Sequence, residues 1–160
     1  DVQGWPNFTA GRSHIEAVGG LGRARIDTER AKFSYIHSSA TDGRYVFTAT
    51  VPDNKNKKQF VISKTLMKDW MLSGEFVPTA EMLKKDRSLG ELYVTGMVYE
   101  DGKLYAVSKN WNVLVVIDVA QEAVVEAWGL PEELTDIRGL VKDGSTFEVI
   151  DANRVVKLKM

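Results

Sequence analysis

From Tyr35 onward the apolar residues fall in short runs rich in Val, Ile, Tyr, Phe and Thr, and each run is broken by Asp-Gly, Asn or Pro. Residues of that kind fit a pleated, half-buried surface, so the runs predict strands and the breaks predict turns. Asp42-Gly43, Asp101-Gly102 and Asp143-Gly144 are each flanked by apolar residues, as a two-residue hairpin turn requires. Their surroundings also align. Ile36 to Phe47 lies over Val94 to Ala106, and Ile137 to Val149 forms a third, slightly shorter copy.

The repeat continues past the hairpins. Leu114 to Asp118 reads as a third strand and Ala123 to Trp128 as a fourth, with Gln59 to Ser63 and Trp70 to Phe76 in the same places one copy earlier. On that alignment Trp70 and Trp128 correspond, and both are expected to pack between units. A polar insert, Pro52 to Lys58, lengthens one connection. Arg25 to Arg30 reads as the end of a third strand and its turn, with Ala31 to Tyr35 as a fourth. The expected units are therefore about 24–36, 35–78, 93–130 and 134–160, each complete one an antiparallel meander of about 40 to 45 residues, the size of a propeller blade. Residues 1–23 form a glycine-rich amino-terminal segment. Its Gly19-Gly20-Leu21-Gly22 has no Gly-Lys-Ser/Thr ending, so turns or an approach to the first strand are expected rather than a phosphate loop. Thr79 to Lys85 predicts a short helical stretch capped by Thr79.

Gly102-Lys103-Leu104-Tyr105-Ala106-Val107-Ser108, then Val115-Val116-Ile117-Asp118 and Val124-Val125, resembles the YVTN-type β-propeller repeat. The good match covers Tyr93 to Leu130. It departs where the family has a Pro before the innermost strand and a Thr after Ile-Asp, since Val119 follows Asp118. The resemblance implies an all-β, propeller-like fold and leaves function open, because such propellers include binding proteins, scaffolds and enzymes. A β-sandwich built from the same hairpins is the alternative.

Composition adds limits. The 160 residues carry 44% hydrophobic and 27% charged side chains, enough for one ordinary domain's core. With 21 basic against 22 acidic residues there is no excess of cations for neutralising phosphates, so a nucleic-acid partner is not expected. No apolar run is long enough for a membrane span, and with no cysteine there are no disulfides, thiol nucleophiles or thiolate metal sites. The chain begins at Asp1 and not Met, so it is expected to be processed or cut from something longer. An open stack of about four blade-sized units leaves strand edges bare, which predicts a partial propeller completed by more blades or by another copy.

The catalytic inventory is thin. His14 and His37 are 23 residues apart in the sequence, no Gly-x-Ser-x-Gly elbow is present, and neighbouring carboxylates such as Glu132 and Glu133 point to opposite faces of a strand. No catalytic residue, metal ligand set or cofactor is assigned. Asp42, Asp101 and Asp143 are expected in turns, where Asp before Gly tolerates a positive φ and bonds the backbone. The blade alignment points further. His37, Thr95 and Arg138 occupy equivalent places at the start of innermost strands, where residues gather at the mouth of a central channel. Arg138 could hold a carboxylate or phosphate, and His37 could exchange a hydrogen bond near neutral pH. Hydrated channel polarity is the simpler reading of all three. Trp111, in the turn Lys109 to Asn112, is a candidate contact residue that could also fold over its own hairpin. Lys55, Lys57 and Lys58 are expected at a solvated hairpin tip.

These readings favour a non-catalytic domain that binds a small ligand or a protein and works outside the cytoplasm, in a periplasmic or secreted setting. Two alternatives stay open: a propeller-type metal-dependent hydrolase or lactonase, and a structural or regulatory soluble domain of a membrane-anchored protein.

Overall fold

The computed structural model describes residues 7–10, 14–19, 22–27, 36–50, 52, 59–81, 89–108 and 111–159, with side chains from Ser38 onward, Glu91 excepted. The described chain is built almost wholly of strands. β1 (Asn7–Ala10), β2 (His14–Gly19) and β3 (Gly22–Asp27) make sheet I. β4 (Ile36–Thr41), β5 (Tyr45–Thr50), β6 (Ile62–Leu66) and β7 (Met71–Phe76) make sheet II. After a 3-10 turn at Leu89–Glu91, β8 (Val94–Glu100), β9 (Lys103–Ser108), β10 (Val113–Asp118) and β11 (Ala123–Gly129) make sheet III. β12 (Ile137–Asp143), β13 (Thr146–Asp151) and β14 (Val155–Lys159) make sheet IV. Each sheet is a meander of antiparallel neighbours in chain order. No helix among the described residues is long and apolar enough to cross a membrane.

The hairpins form where Asp-Gly stands, but by different turn geometries. Gly43, Gly102 and Gly144 all have positive φ, whereas of the three aspartates only Asp101 does, at 49°. Asp42 works through its side chain, which accepts the backbone N–H groups of Arg44 and Tyr45 at 2.8 and 2.7 Å.

Residues 7–27, read from sequence as an approach segment with one strand end, contain three strands. Arg23-Ala24-Arg25-Ile26-Asp27 alternates polar and apolar side chains, the period of a strand half exposed to water. The expected strand over Ala31 to Tyr35 lies outside the described residues, as do Lys55, Lys57 and Lys58 and most of the expected helix after Thr79. Thr79 itself bridges to Ala123, its N–H donating to the Glu122 carbonyl at 2.9 Å and its carbonyl accepting from Val124 N–H at 2.8 Å.

The sheets stack in series with a fixed sense, unlike the two packed layers of a sandwich. One face of sheet II presents Phe47, Ala49 and Ile62, which pack on Met97, Leu104, Ala106, Val115 and Ile117 of sheet III. The other face of sheet III presents Tyr105, Val107, Leu114 and Val116 to Leu140, Phe147, Val149, Val156 and Leu158 of sheet IV. The strand registers make these the same positions one unit later. On the face of sheet II turned from sheet III the corresponding positions are Val46, Thr48, Ser63 and Thr65. All are buried, and the Thr48 and Thr65 hydroxyls have no hydrogen-bond partner among the described residues. Sheet I lies beside sheet II, β1 near β4 and β3 near β7.

Along one line the innermost strands β4, β8 and β12 run side by side. Ser38 Oγ donates to the Val94 carbonyl at 3.0 Å and Thr95 Oγ1 to the Ile137 carbonyl at 2.8 Å, stitching each to the next. Gly96 allows the closest approach. A Cβ there would lie 2.6 Å from the Leu140 backbone nitrogen, too near for any side chain.

Candidate functional site

The three positions picked out by sequence alignment share one structural peculiarity. In β4 the register shifts between Ile36 and Ser38, in β8 between Val94 and Gly96, and in β12 between Ile137 and Gly139. His37, Thr95 and Arg138 are thus the extra residues of three β-bulges at the same end of three adjacent strands. A bulge leaves its extra residue out of the ladder and re-aims it, which is why bulges recur beside binding sites. The His37 side chain lies outside the described residues. Thr95 is engaged with the Ile137 carbonyl, so its hydroxyl joins sheet III to sheet IV.

Arg138 is presented outward. Its side chain is 66% exposed, and Nε and Nη2 donate to Asp136 Oδ2 at 3.3 and 3.0 Å. An exposed pair of this kind contributes about 0–1 kcal/mol. Its consequence is orientation, since two nitrogens are held while Nη1 makes no hydrogen bond among the described residues.

Opposite the bulges stands a second trio that the sequence reading missed. Ile36 pairs with Thr50, Val94 with Ser108 and Ile137 with Asp151. All three polar side chains are buried, and each satisfies backbone in the loop that follows or precedes. Thr50 Oγ1 accepts from Val61 N–H at 3.1 Å, and Ser108 Oγ from Trp111 N–H at 2.9 Å. Asp151 Oδ2 accepts the Asp136 N–H at 2.9 Å, and Oδ1 accepts the Asn153 N–H at 3.3 Å. The Asp136 N–H holds the Asp151 carboxyl below the usual carboxylate range, against burial; the Asn153 N–H, the Arg154 charge and the Thr135 N–H act in the same direction. Asp151 therefore anchors the residue whose carboxylate orients Arg138. Extending the alignment beyond the hairpins to the polar residue closing each second strand would have revealed the trio.

Trp111 sits at this end too, in the loop after Ser108. It is half-buried and packs against the core between sheets II and III. Trp70 and Trp128 do not correspond as expected. Trp70 lies in a turn with φ of 58°, the place taken by Glu122 at 53° in sheet III, while Trp128 pairs with Leu114 and so matches Phe76, which pairs with Ile62.

No protein-family model matches the sequence, and no curated protein does. Solved structures do resemble it in shape. Glutaminyl cyclase of Myxococcus xanthus superposes with a TM-score of 0.58 at 16% identity, over 97% of this chain and 68% of the cyclase. The WD40 repeats of RRP9 superpose with a TM-score of 0.55 at 16% identity, over 95% of this chain and 46% of that one. The fold is a β-propeller. BamB from Moraxella catarrhalis is similar in the same way, with a TM-score of 0.57 at 11% identity, over 94% of this chain and 41% of BamB. The chain thus spans about two thirds of the cyclase and under half of the other two propellers. At such identities the likeness carries fold alone. Sheets I to IV are its blades, and the bulged ends of β4, β8 and β12 lie where innermost strands meet.

Proposed function

We propose that this propeller is a non-catalytic domain that binds a small ligand or a protein at the bulged ends of its innermost strands, and that it works outside the cytoplasm. His37, Thr95 and Arg138 are its candidate site residues, with Trp111 beside them as a contact. The carrying observation is Arg138, an exposed guanidinium on a bulge, oriented by Asp136 while its Nη1 makes no hydrogen bond among the described residues. A planar donor so placed suits a carboxylate or phosphate group. The YVTN-type repeat is the family reading we favour: its residues Gly102 to Ser108, Val115 to Asp118 and Val124-Val125 fall in the hairpin of β9, in β10 and in β11. We propose also that further blades or another copy continue the stack, because Val141, Ile150 and Val155 of sheet IV remain exposed.

The test is thermal melting of the purified chain with succinate, citrate and inorganic phosphate. A ligand at one hundred times its Kd adds about 2.7 kcal/mol of stability, and the expected result is a rise in Tm that Arg138→Ala abolishes while melting cooperatively on its own. An equal rise in the variant would remove Arg138 from the site. No rise with any of the three acids would remove the acidic-ligand reading.

A further inference from the structure

The seam between sheets II and III and the seam between sheets III and IV repeat each other position by position, with different residues at places that face one another. In the first seam Tyr99 stacks on Phe47, ring centroids 5.4 Å apart and planes within 3°. In the second, the strand registers put Tyr105 at the place of Phe47 and Lys142 at the place of Tyr99. A linear side chain thus replaces a ring. On the outermost strand Trp128 takes the place of Phe76 and Glu126 that of Gly74. Phe76 packs against the core, whereas Trp128 is 44% exposed.

The result is a cavity of about 340 Å³ bounded by Tyr105, Leu114, Phe147, Trp128, Glu126 and Lys142. That lies at the small end of ordinary ligand sites, about 300–1,000 Å³. Its polar groups have definite assignments. Lys142 Nζ meets Glu100 Oε1 at 2.5 Å and also donates to the Gly144 carbonyl, with its side chain only 8% exposed. The same ammonium lies over the rings of Tyr105 and Phe147 at 5.3 and 5.4 Å. Its charge is met by Glu100. Glu126 accepts the Trp128 indole N–H at 3.0 Å, and no cation among the described residues pairs with it. A carboxylate has room for several donors, so one hydrogen bond leaves Glu126 far from satisfied. Glu100 lies outside the cavity lining and offsets Lys142 there, which leaves Glu126 as the lining carboxylate with no cationic partner among the described residues.

We propose that this cavity is a binding site for an organic cation of side-chain size, an alkylammonium or guanidinium group. The charge meets Glu126, which the indole N–H holds in place, and the carbon frame lies against Trp128, whose ring face attracts cations, while Tyr105 and Phe147 line the cavity with Lys142 over their rings. The site shares no residue with the bulged end. Lys142 is four residues along β12 from Arg138, about 13 Å at strand rise, and the two sites select opposite charges.

The test follows the indole Nε1–H signals of the full chain by ¹H–¹⁵N NMR at constant ionic strength. The probes are butylammonium and tetramethylammonium as free cations, capped pentapeptides with a central Arg or Lys as partner side chains, and butyrate as the anionic control. The Trp128 signal, assigned by its loss in Trp128→Phe, is expected to shift saturably with cations and not with butyrate. Glu126→Gln, on an exposed strand and checked for unchanged melting, is expected to weaken binding at least about ten-fold. Similar affinity for free amines and peptides identifies a small amine as the source, and binding of peptides alone identifies a partner's side chain. The proposal is overturned by no saturable Trp128 shift with any cation, by an equal response to butyrate, or by undiminished affinity in Glu126→Gln.

Discussion

Sheets III and IV share a register and differ in what their corresponding positions touch. Val107 and Leu114 of sheet III are fully buried against sheet IV, while Ile150 and Val155, at the same places in sheet IV, are 37% and 57% exposed. Tyr105 and Val116 are matched there by Glu148 and Lys157, an exposed pair 3.7 Å apart. Position in the strand therefore sets which way a side chain points, and the neighbouring blade decides whether that direction is core or surface. The alternation in sequence reports only the first.

The widest test of this difference is truncation at equivalent sites. Leu114→Ala is expected to cost about 2–5 kcal/mol, the range for emptying a buried leucine site, and Val155→Ala about 0.5 kcal/mol or less, as an exposed site does. Urea unfolding of the two variants measures the contrast. Comparable losses would mean that the outer face of sheet IV is covered in solution.

A smaller contrast is expected at the glycines after the bulges. Gly96→Ala meets backbone of the next sheet and is expected to cost about 1–3 kcal/mol or more. Gly139→Ala meets the Ile150 Cδ1 at 3.3 Å, a flexible end that can turn away, so a loss below about 1 kcal/mol is expected on the same scale. Equal losses would contradict the close approach of β8 to β12.

The finest contrast is in acid. Opposite the bulge, sheets II and III carry hydroxyls, Thr50 and Ser108, and sheet IV carries the Asp151 carboxylate. A carboxyl held below its unfolded pKa contributes stability that is complete above the unfolded value, about 3.9, and lost as pH falls through the folded value. Thermal midpoints should therefore fall less steeply below about pH 4 in Asp151→Asn than in the parent chain. Parallel acid limbs would show that the carboxyl's surroundings do not favour its ionised form.

Much of the architecture was legible because turns and alternation are local. The Asp-Gly pairs fixed three hairpins, and aligning on them placed His37, Thr95 and Arg138 on equivalent bulges although no residue type marks a bulge. The alignment failed at Trp70 and Trp128 because Trp70 stands in the left-handed turn before the fourth strand of sheet II, whereas Trp128 lies near the end of the fourth strand of sheet III; both sheets carry the same bulge against that strand. The role of Asp151 was not legible, since its partner is the backbone of Asp136, fifteen residues away in sequence. The cavity beside Trp128 was not legible either. It depends on Lys142 standing where another seam has Tyr99, a comparison that needs both registers.

The sense of the stack limits the symmetry of any assembly that extends it. The Phe47, Ala49 and Ile62 face of one sheet meets the Met97, Leu104 and Ala106 face of the next, so donor and acceptor surfaces are unlike. Joining copies through them is heterologous, with every copy turned the same way along a path. Such contacts close only when the rotation returns the last copy to the first, and otherwise run on as a filament. A two-fold dimer of this chain cannot be made by joining these two unlike faces.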